Sequence, residues 1–193
     1  MRLWLFHPLV FFPLVLALGL LVVGASLKPQ LLPRAPAETA GTADGQVLVL
    51  QGEAFNAPTD PPQQYVTVVR DFWGRPESLR IAALPNLGGP TSEERGVEIL
   101  LSPETAQSLA GRRLRAYVAY RPLPLNAASA LAVAAVGSGP VNWVRRRTPP
   151  QASIAQFEIV APPDVRSISL RVLHTDPRLA FGVEIVSIRI TAR

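Results

Sequence analysis

Polar and apolar positions divide this chain near residue 45. Leu3 to Leu27 is a run of 25 residues without Asp, Glu, Lys or Arg. At about 1.5 Å of rise per residue, such a helix outspans a hydrocarbon core about 30 Å thick. Residues 1–27 are therefore expected to form one transmembrane helix, a signal anchor. Beyond Gly45 the pattern changes to short β-branched and apolar runs bounded by Pro, Gly, Asn or Asp. Strands are predicted at Val47–Gln51, Tyr65–Arg70, Leu79–Ala83, Val97–Leu101, Arg113–Arg121, Ala130–Val136, Ile154–Val160, Val165–Leu173 and Phe181–Thr191. No long 3.6-residue period separates them, so residues 46–193 are expected to form one all-β domain, an antiparallel sandwich or barrel. The one helical candidate there is Pro103–Ala110, where Ser102 can cap, Pro103 takes the first helical position and Gly111 ends the turn.

Alternation makes two strands legible in more detail. In Arg113–Arg121 the even positions Leu114, Ala116, Val118 and Tyr120 are apolar, and the odd ones are Arg113, Arg115, Tyr117, Ala119 and Arg121. Successive side chains face opposite sides of a strand, so one face enters the core and the other carries three arginines around a tyrosine. In the last run Phe181, Val183 and Ile185 share one parity, whereas Val186, Ile188 and Ile190 share the other. Either both faces are covered there, or a β-bulge near Ile185–Val186 resets the register.

Residues 28–45 read as a linker. Pro29, Pro33 and Pro36 stiffen its first half, and small polar residues from Ala37 to Gly45 loosen the second. A cleaved secretory signal is the competing reading of the N-terminus, since Arg2 and the small residues Gly24, Ala25 and Ser26 partly fit one. The apolar run is long for that, and Val22–Val23 make a poor cleavage site. Arg2 precedes the run while Lys28 and Arg34 follow it, so basic residues alone do not orient it. A short leading tail usually stays in the cytoplasm. The expected location is thus a bacterial inner membrane, single-pass, with the C-terminal domain in the periplasm. His7 is expected at the headgroup level with Trp4, and Pro13 to kink the helix.

Charge and composition narrow the function. Beyond Gly45 there are 16 arginines against 12 acids, a net of +4 that is too modest and scattered for a nucleic-acid partner. The absence of cysteine excludes disulfides, thiolate metal sites and thiol nucleophiles. His7 and His174 are the only histidines, so a transition-metal site would need mostly carboxylates, and no metal or cofactor is expected. His174 continues the parity of Ile168, Leu170 and Val172 and reads as a core-edge residue. Asp164 and Asp176 read as turn formers before Val165 and Pro177, and Glu93–Glu94 as a solvated loop. Gly88–Gly89 lacks the Lys-Ser/Thr of a phosphate loop. Nothing pairs two acids as a glycosidase requires, so the chain is not expected to be an enzyme.

Two aromatic-basic clusters remain. Asp71–Pro76 places Trp73 and Arg75 in a turn, where the indole can lie on the apolar face of a pyranose while Arg and Asp bond its hydroxyls. Alternatively, Phe72 or Trp73 plugs the end of the sandwich. Trp143 precedes Arg145, Arg146 and Arg147, which read as a solvated loop whose guanidinium forks suit carboxylate or phosphate. Together with Arg113, Arg115, Tyr117 and Arg121, these residues could form a basic field facing an anionic polymer, lipid headgroup or partner.

Three stretches carry a family resemblance: Ala106–Arg121, a short helical turn and glycine leading into a long strand; Gln156–Pro163; and the closing Gly182–Ile190. They resemble the galactose-binding-like jelly roll of many carbohydrate-binding modules, over most of 45–193. The resemblance implies a jelly-roll sandwich that binds sugar at a loop rim or concave face without catalysis. Some members hold a structural calcium partly through an acid near the final strand, and Glu184 is its only counterpart here. The expected function is that of a non-catalytic envelope protein binding a glycan or other anionic envelope component. The rival is a structural accessory subunit of a membrane complex, with an envelope protein as partner.

Overall fold

A largely apolar sequence makes the first element, α1, a 24-residue helix over Pro8–Leu31 that continues through Pro13 and takes in Lys28 to Leu31, residues expected in the linker. The computed structural model of the chain describes residues 8–31, 47–85, 88–174, 178 and 180–192. Trp4, His7, Asp176 and the linker residues 32–45 lie outside these. Within α1, the continuous run of described side chains is Val10 to Val23, 14 residues, or about 21 Å of helix. Among the described residues no helix is long and apolar enough to cross a membrane. The chain forms two compact units, divided between Arg34 and Ala35.

The second unit holds the strands: β1 (Val47–Leu50), β2 (Gln64–Arg70), β3 (Pro76–Ala83), β4 (Val97–Leu100), β5 (Arg113–Pro122), β6 (Ala130–Val136), β7 (Val144–Arg147), β8 (Ser153–Val160), β9 (Ser167–Leu173) and β10 (Phe181–Ala192). All pair antiparallel. A six-stranded sheet runs β2-β3-β10-β5-β8 with β1 also on β10, and a four-stranded sheet runs β4-β9-β6-β7. The all-β antiparallel sandwich expected from the sequence is the observed fold. Leu79, Ile81, Val118, Phe157, Ile185 and Ile188 of the larger sheet meet Val97, Ile99, Leu131, Val133, Ile168 and Leu170 of the smaller in one buried core.

The helix expected after Ser102 is α2 (Pro103–Leu109). The Ser102 hydroxyl accepts from Thr105 N–H, and Gly111 follows with φ +69°. In β5, Leu114, Ala116, Val118 and Tyr120 are buried to 2% exposure or less. Arg113 and Arg121 are exposed opposite them, whereas Arg115 is half-buried beside Glu158. Val118→Ala should cost about 2 kcal/mol, or about 4–8 °C in melting temperature. Arg113→Ala should scarcely move it. Equal shifts in a thermal melt would mean the register is wrong.

The bulge alternative holds for β10. Its register on β5 shifts between Ile185 and Ser187, leaving Val186 as the extra residue. The bulge also divides one side of β10 between two strands: β3 pairs with 181–185 and β1 with 188–191.

Three expectations need correction. Arg145–Arg147 lie in β7, an edge strand on β6, and are not a loop. Charged side chains are what an edge strand tolerates and uses against further pairing. Glu93–Glu94 is not simply solvated: Glu94 pairs at 2.7 Å with Arg171, whose side chain is 3% exposed. Trp143 does not join Arg113, Arg115, Tyr117 and Arg121 in one field. It covers the outer face of the smaller sheet, packed on Ala130, Ala132 and Leu173 and on Ala134, Val136 and Val141, and its indole N–H donates to Thr91 O at 3.0 Å. Both faces of β6 and β9 are consequently buried.

Candidate functional site

The solvent face of the larger sheet follows from strand parity and register. Thr67, Arg80, Glu184 and Arg121 stand side by side across β2, β3, β10 and β5. A second row holds Ser187, Ala119 and Ile154, a third Arg189, Tyr117 and Gln156, and a fourth Thr191, Arg115 and Glu158. Arg113 continues the series on β5. The face thus gathers Arg80, Arg113, Arg115, Arg121 and Arg189 against Glu158 and Glu184, a net of +3.

Small side chains shape its middle. Ala119 and Ser187 form the floor of a depression of about 440 Å³, walled by Tyr117, Ile154, Arg189 and Thr191. A second of about 260 Å³ lies between Arg113, Arg115, Glu158 and Val160. The half-buried Tyr117 ring and the exposed Arg189 guanidinium of the first can contact a flat ring and an anion at once.

The arginines differ in what already holds them. Glu184 pairs with Arg80 at 3.2 Å and Arg121 at 3.5 Å and accepts from the Ser78 hydroxyl at 2.8 Å. Burial pushes its carboxyl up, but the bonds from Ser78 and Arg80 and the charges of Arg80 and Arg121 outweigh that. Its pKa therefore lies below the ordinary glutamate value. Arg115 pairs with Glu158 at 3.1 Å. Among the described residues no carboxylate pairs with Arg113 or Arg189. Those two are free to meet a ligand's negative charge.

The residues singled out in the sequence fall in three places. Arg113, Arg115, Tyr117 and Arg121 share the sheet face. Trp73 and Arg75 sit at the tip of the β2–β3 hairpin, both exposed, and neither lines the depression. The plug alternative fails, because Trp73 is 77% and Phe72 91% exposed. Trp143 and Arg145 belong to the smaller sheet. Sequence reasoning missed Arg80, Glu184 as their partner, Ser187 and Arg189; the parity of Ile188 and Ile190 was the signal that would have turned Arg189 outward.

Other candidate chemistry is structural. His174 stacks on Phe181 at 5.2 Å, at the core edge as expected. The Asp164 carboxylate accepts from the hydroxyl and the backbone N–H of Ser138; those bonds hold its pKa below the ordinary carboxylate value. A cleft of about 290 Å³ is lined by Asp60, Gln64, Glu94, Arg95, Glu98 and Arg171. Most of its charged groups pair with one another. No group of acids and histidines among the described residues could hold a metal ion.

Solved structures similar to this chain include carbohydrate-binding modules. The apo CBM1 of BiXyn10A matches at 11% identity and a TM-score of 0.46, over 77% of this chain and 99% of that one. The CBM22-1 xylan-binding domain of Xyn10C from Paenibacillus barcinonensis matches at 12% and 0.42, over 70% and 85%. The C-terminal family 22 carbohydrate-binding module of Xyn10B from Clostridium thermocellum matches at 12% and 0.33, over 83% and 94%. No family model and no curated protein matches the chain.

Proposed function

We propose that this chain is a non-catalytic envelope protein, anchored in a bacterial inner membrane by its N-terminal helix with the sandwich in the periplasm. On this reading the solvent face of the larger sheet binds an acidic glycan. The observation that carries it is the depression walled by Tyr117 and Arg189 within a face of net +3. A sugar ring seats on the Tyr117 ring over the small floor of Ala119 and Ser187. Arg189 and Arg113 take the carboxylates, and Arg115 and Arg121 extend the field along the strand. Two unpaired guanidiniums favour carboxylate over neutral hydroxyl, because charge-assisted bonds are about twice as strong. The anchor is supported by the uncharged run Leu3–Leu27 and the helical backbone of Pro8–Leu31.

Titration with polygalacturonate and with neutral dextran tests the reading. Polygalacturonate should bind and dextran should not. The affinity should fall steeply with added salt, since charges more than about 8–10 Å apart are screened at physiological ionic strength. Arg189→Ala and Tyr117→Ala should each weaken it about tenfold, the equivalent of one charge-assisted or stacking contact of about 1.4 kcal/mol. A face indifferent to both polymers would favour the accessory-subunit reading instead.

A further inference from the structure

Phe72 and Trp73 are consecutive at the tip of the β2–β3 hairpin, 91% and 77% exposed. Their rings meet edge to face at 5.2 Å. The turn beneath them is fastened. Asp71 N–H donates to Arg75 O, Gly74 N–H donates to Asp71 O, and Arg75 N–H donates to the Asp71 carboxylate at 2.7 Å. Gly74 takes φ +78°, a region open to glycine. The Arg70 guanidinium donates to Asn56 Oδ1 at 2.9 Å and Gly74 O at 3.2 Å, which ties the hairpin to the segment after the 3-10 turn Gly52–Phe55.

The result is a convex aromatic wedge held out in water. Neither ring lines the two depressions of the sheet face or the cleft beside Arg171. A sugar platform needs polar groups converging beside the ring, whereas a convex pair of rings suits a soft apolar medium.

We infer that this tip enters the interfacial layer of a lipid bilayer, the one in which the N-terminal helix is anchored. The inference rests on the proposed anchor. Two observations name the bilayer as the occupant. Fifteen residues separate Leu31 from Val47, and at about 3.5 Å each they reach at most about 50 Å. An anchored sandwich therefore stays within about 50 Å of the surface, and a weak insertion is reinforced by the tether. The exposed charges flanking the tip, Arg75 and Glu77, balance. Attraction to anionic headgroups is thus not what draws it; Trp and Phe are the side chains that settle at this depth.

The chain has no cysteine, so Phe72→Cys gives one labelling position, and the exposed Gln151→Cys gives a control far along the sequence. The full chain, labelled with an environment-sensitive fluorophore, is reconstituted in phosphatidylcholine vesicles and floated on a gradient. At position 72 the label should be several-fold brighter than at 151 and shielded from aqueous iodide. It should be equally so in high salt and with phosphatidylglycerol added. A chain that does not float defeats the anchor reading and this inference together. A chain that floats with position 72 as watery as 151 overturns the inference alone and leaves the tip to a glycan or protein. A signal that appears only with phosphatidylglycerol also overturns it, assigning the contact to arginines instead.

Discussion

Gly96→Ala is expected to remove a large part of the sandwich's stability by adding a single methyl group. The new Cβ would lie 2.2 Å from the carbonyl oxygen of Leu170, 2.9 Å from its carbonyl carbon and 2.9 Å from Cη2 of Trp143. Two of those atoms are backbone of β9, an inner strand of the smaller sheet, and cannot swing aside as a side chain does. Shifting the segment before β4 would break the bond from Gly96 N–H to Ser169 Oγ at 3.0 Å. Overpacking of this kind costs about 1–3 kcal/mol, and about 3 kcal/mol here, where backbone must move, against a total stability of about 5–15 kcal/mol. At about 2–4 °C per kcal/mol for a domain of about 150 residues, scanning calorimetry should show a drop of about 6–12 °C. Gly89→Ala is the control, because a Cβ there meets nothing within 4 Å. Matching melts for the two variants would mean that Gly96 does not approach the β9 backbone this closely.

That contact also marks where sequence reading stops. Features governed by neighbours along the chain were legible: the Ser102 cap of α2, the alternation of β5, and the parity slip that became the bulge at Val186. Features made by distant partners were not. Nothing near Arg171 announces Glu94, and nothing near Trp143 announces that loops close over the outer face of β6. Three successive arginines read as a loop because β7 is an edge strand whose partner, β6, supplies the pairing. The candidate face was half legible for the same reason. β5 disclosed its own stripe, but Arg80, Glu184 and Arg189 join it only through register. Trp73 lies in its expected turn and takes the exposed one of its two alternatives, yet β3 and β10 lie between β2 and the arginine stripe, so it belongs to a different surface.

On the proposed reading, Glu184 should act on stability and on binding with opposite signs. Its carboxyl is held below the ordinary value of 4.5, although burial alone would raise it. The fold therefore favours the ionised form. The stability this gives is present above pH 4.5 and is lost as pH falls through the lowered pKa. Glu184→Gln should remove that acid step and, at neutral pH, lower stability by about 1–2 kcal/mol, because hydrogen bonds to a charged group are worth about 1.5–3 kcal/mol and its arginine partners are exposed. In melting temperature that is about 2–8 °C. Binding should move the other way. Removing the carboxylate releases Arg80 and Arg121, which are 47% and 62% exposed, and raises the net charge of the face by one. Affinity for polygalacturonate should rise about two- to fivefold at low salt, as expected from an exposed charge pair worth about 0.5–1 kcal/mol. The gain should vanish in high salt while the loss of stability stays. Weaker binding by Glu184→Gln would mean that the carboxylate aims the two arginines at the ligand, and that it does not compete with the ligand for them.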